Sequence, residues 1–455
     1  MQTQDVVLKL NKLTAVSSID GRYADRTAKL RSYFSEYALI KYRVKVELEY
    51  FKAICEILPQ LKNFPREKFD LFDSIIKDFS EDIAWTVKAK DGIINHDVKA
   101  VEHYLRDLFD ENGIGEYKEF IHFGLTSYDD NSIAWNNMLF DALYDVIVPA
   151  LEDISCFIHD LSSNWMNIPI LAHTHGQPAS PTKLGKEIRV FVERLDKLIQ
   201  HLHNYIFEAK FGGATGNFNA HYLAYPDIDW HVWATKFLMD KFGFVRQQTT
   251  TQIESYDNLA ELFDICKRIN TVFIDMSRDM WTYISMNYFN QKPKKDEVGS
   301  SAMPHKVNPI DFENGEGNAG IAIALFEHLS TKLPISRLQR DLSGSTVERI
   351  IGVPFAHMLI AIASLKRAFG KVEPNMNKIR TDLENNWAVV SEGIQTILRR
   401  ESYPDPYSAL KELTRSGENE SLSLEIVHAW IDKLNISDEL KDELKAITPF
   451  NYVGK

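Results

Sequence analysis

Two short strings of histidines carry the side chains best suited to proton transfer near neutral pH: Asn95-His96-Asp97 and His173-Thr174-His175-Gly176-Gln177-Pro178. In the second, Gly176 and Pro178 predict a turn just before a helix, while Thr174 and Gln177 supply hydrogen-bonding groups beside the imidazole. An imidazole held on such a turn can give or take a proton; an ordinary polar contact is the plainer use of a lone histidine. A third string, Gly299-Ser300-Ser301-Ala302-Met303-Pro304-His305-Lys306-Val307-Asn308-Pro309, is followed by Asp311, Glu313 and Asn314. Gly299 permits unusual backbone angles, successive amides in such a turn form an anion-binding nest, and Lys306 adds a positive charge. A serine hydroxyl is a poor base, but amides and an ammonium facing it stabilise its ionised form. A flexible Ser/Gly linker is the competing reading.

Two further segments suit anions: Asp20-Gly21-Arg22-Tyr23, and Arg340 to Arg349 (RDLSGSTVER) with Ser345 midway. An arginine fork grips a carboxylate or phosphate through two bonds, although any single arginine is as well explained by a solvated surface. Arg340 and Arg349 lie nine residues apart, which on one continuous helix turns them to opposite sides. Either a helix starts between them or they serve different surfaces.

These side chains need a scaffold, and the composition predicts a helical one. In 455 residues there are only 21 glycines and 16 prolines, few of the residues that break helices and make tight hairpins. Ile188, Val192, Leu195, Ile199, Leu202 and Ile206 recur three or four residues apart after Gly185, which predicts a long helix with one apolar seam. Leu139, Leu143, Ile147, Leu151, Ile154, Ile158 and Leu161 form a second series, which Pro149 should kink or interrupt. Residues 316–333 and 355–369 are long and apolar without turn signals, and alternating β-branched runs are nearly absent. These stripes read as the packed core of a helical bundle. Breaks at ENGIGE (111–116) and GKVEPN (370–375) predict three segments, 1–115, 116–369 and 370–455. A third break, NQKPKKDEVGSS (290–301), is a long polar loop inside the bundle, a place where function concentrates.

Lys and Arg number 52 against 64 Asp and Glu, a net charge of −12 that argues against a nucleic-acid partner and requires local positive charge for any anionic ligand. Three scattered cysteines, Cys55, Cys156 and Cys266, lack metal-ligand spacing and fit a reducing compartment. The first fifteen residues lack a signal-peptide core, and no run of eighteen apolar residues is free of charge, so the expectation is a cytoplasmic chain with no membrane partner.

The Gly299 to Pro309 string resembles the Ser loop of the fumarase/aspartase superfamily, and within it the chain is similar to the adenylosuccinate lyases of the long bacterial type. The segments that carry this resemblance are LTAVSSIDGRY (13–23), NHDVKAVE (95–102), EFIHFGLTS (119–127), THGQPASPTKLGKE (174–187), TTQIE (250–254), GSSAMPHKVNPIDFEN (299–314) and SRLQRDLSGSTVER (336–349). The resemblance implies an all-α, three-domain fold with a central long-helix bundle that forms the core of a homotetramer. It also implies β-elimination of fumarate from adenylosuccinate to give AMP, and from SAICAR to give AICAR, with no metal and no cofactor. On it Ser300 is the base, His175 the acid and Glu313 the carboxylate that orients the imidazole. Lys306 and Asn308 would hold the succinyl carboxylates, and Arg22, Tyr23, Asn95, His96, Asp97, Thr126, Ser127, Gln252, Arg340, Ser345 and Arg349 would make the remaining substrate contacts. His96 is the phosphate neighbour in this reading. Each site would draw on three subunits, and the Gly/Ser loop would close over bound substrate. Tyr128 stands where the resemblance leads one to expect an acidic residue. The rivals are another lyase of the superfamily, such as an argininosuccinate lyase, and a catalytically silent structural relative.

Overall fold

Helices supply nearly all the regular structure of the computed structural model, which describes residues 9–292, 303, 306–415 and 422–455. Ser300, His305 and most of the Gly/Ser loop, with its expected closure, lie outside the described residues. The strands among the described residues are two or three residues long and pair into four two-stranded ladders, so the protein is all-α. The chain divides into two units, one made of Met1–Leu151, Leu198–Thr271 and Gly317–Ala363, the other of Glu152–Lys197, Val272–Glu316 and Ser364–Lys455.

The apolar seams behave as their spacing predicts. Ile188, Val192, Leu195, Ile199 and Leu202 are buried on helix Leu184–His203, whereas Ile206 lies beyond its end and is exposed. The second series runs through helix Ser127–Ala142, a π-helical turn Leu143–Ile147 and helix Val148–Asn164. Pro149 explains the π-helical turn: it has no N–H for the Asp145 carbonyl and its ring crowds that group, so the preceding turn widens and Val148 donates back to Leu143. The apolar runs become Ile310–Lys332 and Gly352–Phe369. The stretch Ser343–Phe369 is long and apolar enough to cross a bilayer, but 61% of its most apolar window is buried inside the fold, as in a core helix. A 29-residue helix, Asp257–Ser285, had no separate prediction.

In the first unit, helix Glu36–Ile54 packs along Ser127–Ala142, and Phe51 meets Phe64, Phe72 and Phe109 edge-on. Thirteen of the sixteen residues of Ser127–Ala142 are buried, six of them polar. Burying a charge costs several kcal/mol unless it is paired. Asp129 meets that requirement fully: it accepts from Lys210 Nζ at 2.7 Å and from the amides of Thr126, Gly212 and Gly213 at 2.8 to 3.0 Å. This junction pins the first turn of the helix and with it Ser127 and Tyr128. In the second unit the C-terminal helices close over a core that includes Trp387, Ile394, Leu398, Ile431 and Leu444.

Candidate active site

The first unit brings both the Asn95 string and the arginine segment to one cavity of about 360 Å³, within the range of small-ligand sites. Asn95 ends helix Glu81–Ile94 in the left-handed conformation (φ 54°), and the chain turns at once into helix Asp97–Glu111. His96 caps that second helix, its Nδ1 accepting the Lys99 amide at 3.1 Å. In the neutral ring the proton therefore sits on Nε2, a donor available to an anion. Asp97 Oδ2 accepts from Arg43 Nη2 and from Arg349 Nη2, both at 2.9 Å, and Oδ1 takes the Val98 amide at 3.0 Å. Burial opposes ionisation of Asp97, but the charge and hydrogen bond of Arg43, the Val98 amide and the Arg349 charge outweigh it and hold the carboxyl down at about 2.

Arg340 and Arg349 both line this cavity because a short helix, Ser343–Glu348, starts between them. Arg340 donates to Ser345 Oγ at 3.1 Å, to Ser127 Oγ at 3.3 Å and to Gln252 Oε1 at 3.4 Å. Arg349 pairs with Glu36 as well as Asp97. Thr126 serves the site by capping helix Ser127–Ala142. Arg22 is exposed, Tyr23 lies under the Arg26 guanidinium, and neither lines the cavity. Gly21 beside them sits where a side chain would press on the Lys12 and Ser17 carbonyls.

The second unit positions the other set. His173–Thr174 pairs with Gln177–Pro178, leaving His175 and Gly176 as a two-residue hairpin turn. Both have positive φ, 53° and 75°, the type I′ geometry whose twist matches the flanking strands. The turn lifts the His175 imidazole to an exposed tip. Glu313 is exposed in the first turn of helix Ile310–Lys332 and accepts from Trp281 Nε1 at 3.2 Å; among the described residues no bond joins it to His175. Lys306 is exposed and Asn308 half-buried on the approach to that helix.

Sequence reading missed Arg43, Asn131, Trp135 and Glu348, all of which line the cavity. Arg43 left a signal: it falls four residues after Leu39 and before Glu47 on the buried face of helix Glu36–Ile54, where a charge is out of place unless used. It is 3% exposed and donates through Nε to Asn131 Oδ1 at 2.8 Å. Tyr128, at the position where an acid was expected, is buried with its ring under Arg340, and Glu348 brings a carboxyl to its hydroxyl at 2.9 Å.

Residues 21–323 match the family described as Lyase, and residues 336–453 the family described as Adenylosuccinate lyase C-terminal. The chain is 51% identical to adenylosuccinate lyase of Dictyostelium discoideum and 43% identical to that of Escherichia coli K12, in each case over 98% of both chains. In fold it is similar to a 3-carboxy-cis,cis-muconate lactonizing enzyme from Pseudomonas putida, with a TM-score of 0.73, 18% identity and 94% of both chains covered.

Proposed function

The chain belongs to the adenylosuccinate lyase family, and we propose that it eliminates fumarate from adenylosuccinate to leave AMP, and from SAICAR to leave AICAR, in purine synthesis. The observation that carries the reading is 51% identity over 98% of the chain, together with a cavity whose walls include the Asn95 to Asp97 and Arg340 to Arg349 strings. A base must remove a proton from the carbon beside a carboxylate, far too weak an acid for water to deprotonate, while an acid protonates the departing nitrogen. Ser300 is the base, His175 the acid, and Glu313 orients and charges the imidazole. Lys306 and Asn308 hold the succinyl carboxylates where negative charge builds up. The cavity takes the nucleotide end: His96 Nε2, Arg340, Ser345 and Arg349 face its phosphate beside Asn95, Asp97 and Ser127, while Arg22, Tyr23, Thr126 and Gln252 meet the substrate outside those walls.

The acid, the base and the phosphate-side groups come from three subunits of a homotetramer, so assembly is part of catalysis. Segments 1–115, 116–369 and 370–455 act as an N-terminal domain, a bundle domain bearing the Ser loop and a C-terminal domain, and the enzyme works in the cytoplasm. The reaction calls on no metal or cofactor. Supplying the purified protein in parallel with adenylosuccinate, argininosuccinate and malate, and following ultraviolet absorbance, tests this reading. Turnover of adenylosuccinate alone is expected, and its absence in folded tetramer would overturn the proposal.

A further inference from the structure

Arg340 is held in an unusual way for a cavity arginine. Its guanidinium carbon lies 4.5 Å from the centre of the Tyr128 ring, and its hydrogen bonds go to the neutral oxygens of Ser345, Ser127 and Gln252. Among the described residues no carboxylate forms an ion pair with it, whereas Arg43 and Arg349 in the same cavity are both paired to Asp97. The ring is itself fixed. Tyr128 is 2% exposed, its hydroxyl donates to Glu348 Oε1 at 2.9 Å, and it takes a bond from Tyr256 Oη at 2.8 Å. Tyr256 also meets Glu348 Oε1, so three buried oxygens touch one another in a closed triangle. Burial raises the Glu348 carboxyl above its ordinary value, against the pull of the two hydroxyls and of Arg43 and Arg340. Glu348 spends its recorded contacts on the two tyrosine hydroxyls, and among the described residues none of its bonds goes to Arg340.

We propose that Tyr128 is a positioning residue for Arg340: its ring, tethered by Glu348 and Tyr256, fixes the plane of the guanidinium and keeps its charge for the anionic end of the ligand. This rests on the reading that the cavity takes the nucleotide end of the substrate. Holding the fork in its binding orientation before the ligand arrives removes part of the ordering cost of binding. The device acts on binding more than on the chemical step, and that separation makes it testable.

Tyr128→Leu removes the ring, while Tyr128→Phe keeps the ring and removes the tether. AMP affinity read by calorimetry carries the test whether or not turnover of adenylosuccinate is observed. Tyr128→Leu is expected to weaken AMP binding and raise KM by about tenfold while kcat stays within threefold, and Tyr128→Phe to recover most of that loss. In an Arg340→Ala background the Tyr128 substitutions should change AMP affinity by less than twofold, since the ring acts through the guanidinium. Should Tyr128→Leu fail to fold, Tyr128→Met, which also removes the ring but fills the space with a flexible apolar chain, gives the non-additivity in the same pair of backgrounds. Equal losses in both backgrounds, or AMP affinity within twofold of wild type for a folded Tyr128→Leu, would overturn the proposal.

Discussion

Arg349 and Asp97, 252 residues apart in the chain, meet at 2.9 Å in the wall of the candidate cavity. The same carboxylate oxygen takes Arg43, so Asp97 holds two guanidinium groups in place with one charge. Its carboxyl sits at about 2 instead of 3.8, a depression that stabilises the fold above the ordinary value and is lost as pH falls through about 2. Asp97→Asn should therefore lower stability by about 2 kcal/mol at neutral pH, and its difference from wild type should shrink between about pH 4 and pH 2. Urea unfolding at several pH values measures this, and a difference that stays constant through that window would remove the ion pair as its source.

Arg340 gives a second prediction because its bonds to Ser345, Ser127 and Gln252 use both terminal nitrogens. A lysine keeps the charge but cannot reproduce a planar fork or lie flat on the Tyr128 ring. Arg340→Lys should raise KM for adenylosuccinate roughly 10- to 100-fold, the effect of losing about 1 to 3 kcal/mol of charged hydrogen bonding, with kcat much less changed. Initial rates across a substrate range separate the two parameters. A fall in kcat with KM unchanged would place Arg340 with the chemical step.

The legible parts of this protein are those written in local chemistry. The seam from Ile188 to Leu202 is periodic, so its helix could be predicted, and the His175-Gly176 turn was visible because glycine there has a conformational reason. Helix Ser127–Ala142 was harder to read, because it is buried almost all round and shows no polar face, its Asp129 being balanced by a lysine 81 residues away. Arg43 and Glu348 escaped for the same reason: each matters through what it touches after folding. The two arginines nine residues apart could not be assigned to one surface until the short helix Ser343–Glu348 was seen to begin between them.

Lys210 and Asp129 are both fully buried, and each is left with an uncompensated charge if the other is removed. Lys210→Met should cost about 3 to 5 kcal/mol, since the carboxylate would keep only amide partners in a site closed to water. Denaturant midpoints of the purified variant measure that cost. A loss below about 1 kcal/mol would show that the amides of Thr126, Gly212 and Gly213 hold Asp129 without help.

His175 stands exposed at its hairpin tip and Glu313 accepts from Trp281, so in the proposed mechanism the acid is expected to gain its carboxylate partner on assembly. His175→Ala and Ser300→Ala should each lower kcat by several powers of ten while leaving AMP affinity within about threefold, as expected for groups used in proton transfer and not in holding the nucleotide. If the acid and the base of one site come from different chains, tetramers reassembled from a mixture of the two inactive variants contain some sites with both groups intact. Activity should then return to a fraction of wild type after the variants are dissociated together and reassembled, and neither variant treated alone should recover. Mixed tetramers, verified by a mass tag on one variant, that stay inactive would show that a single chain supplies both groups.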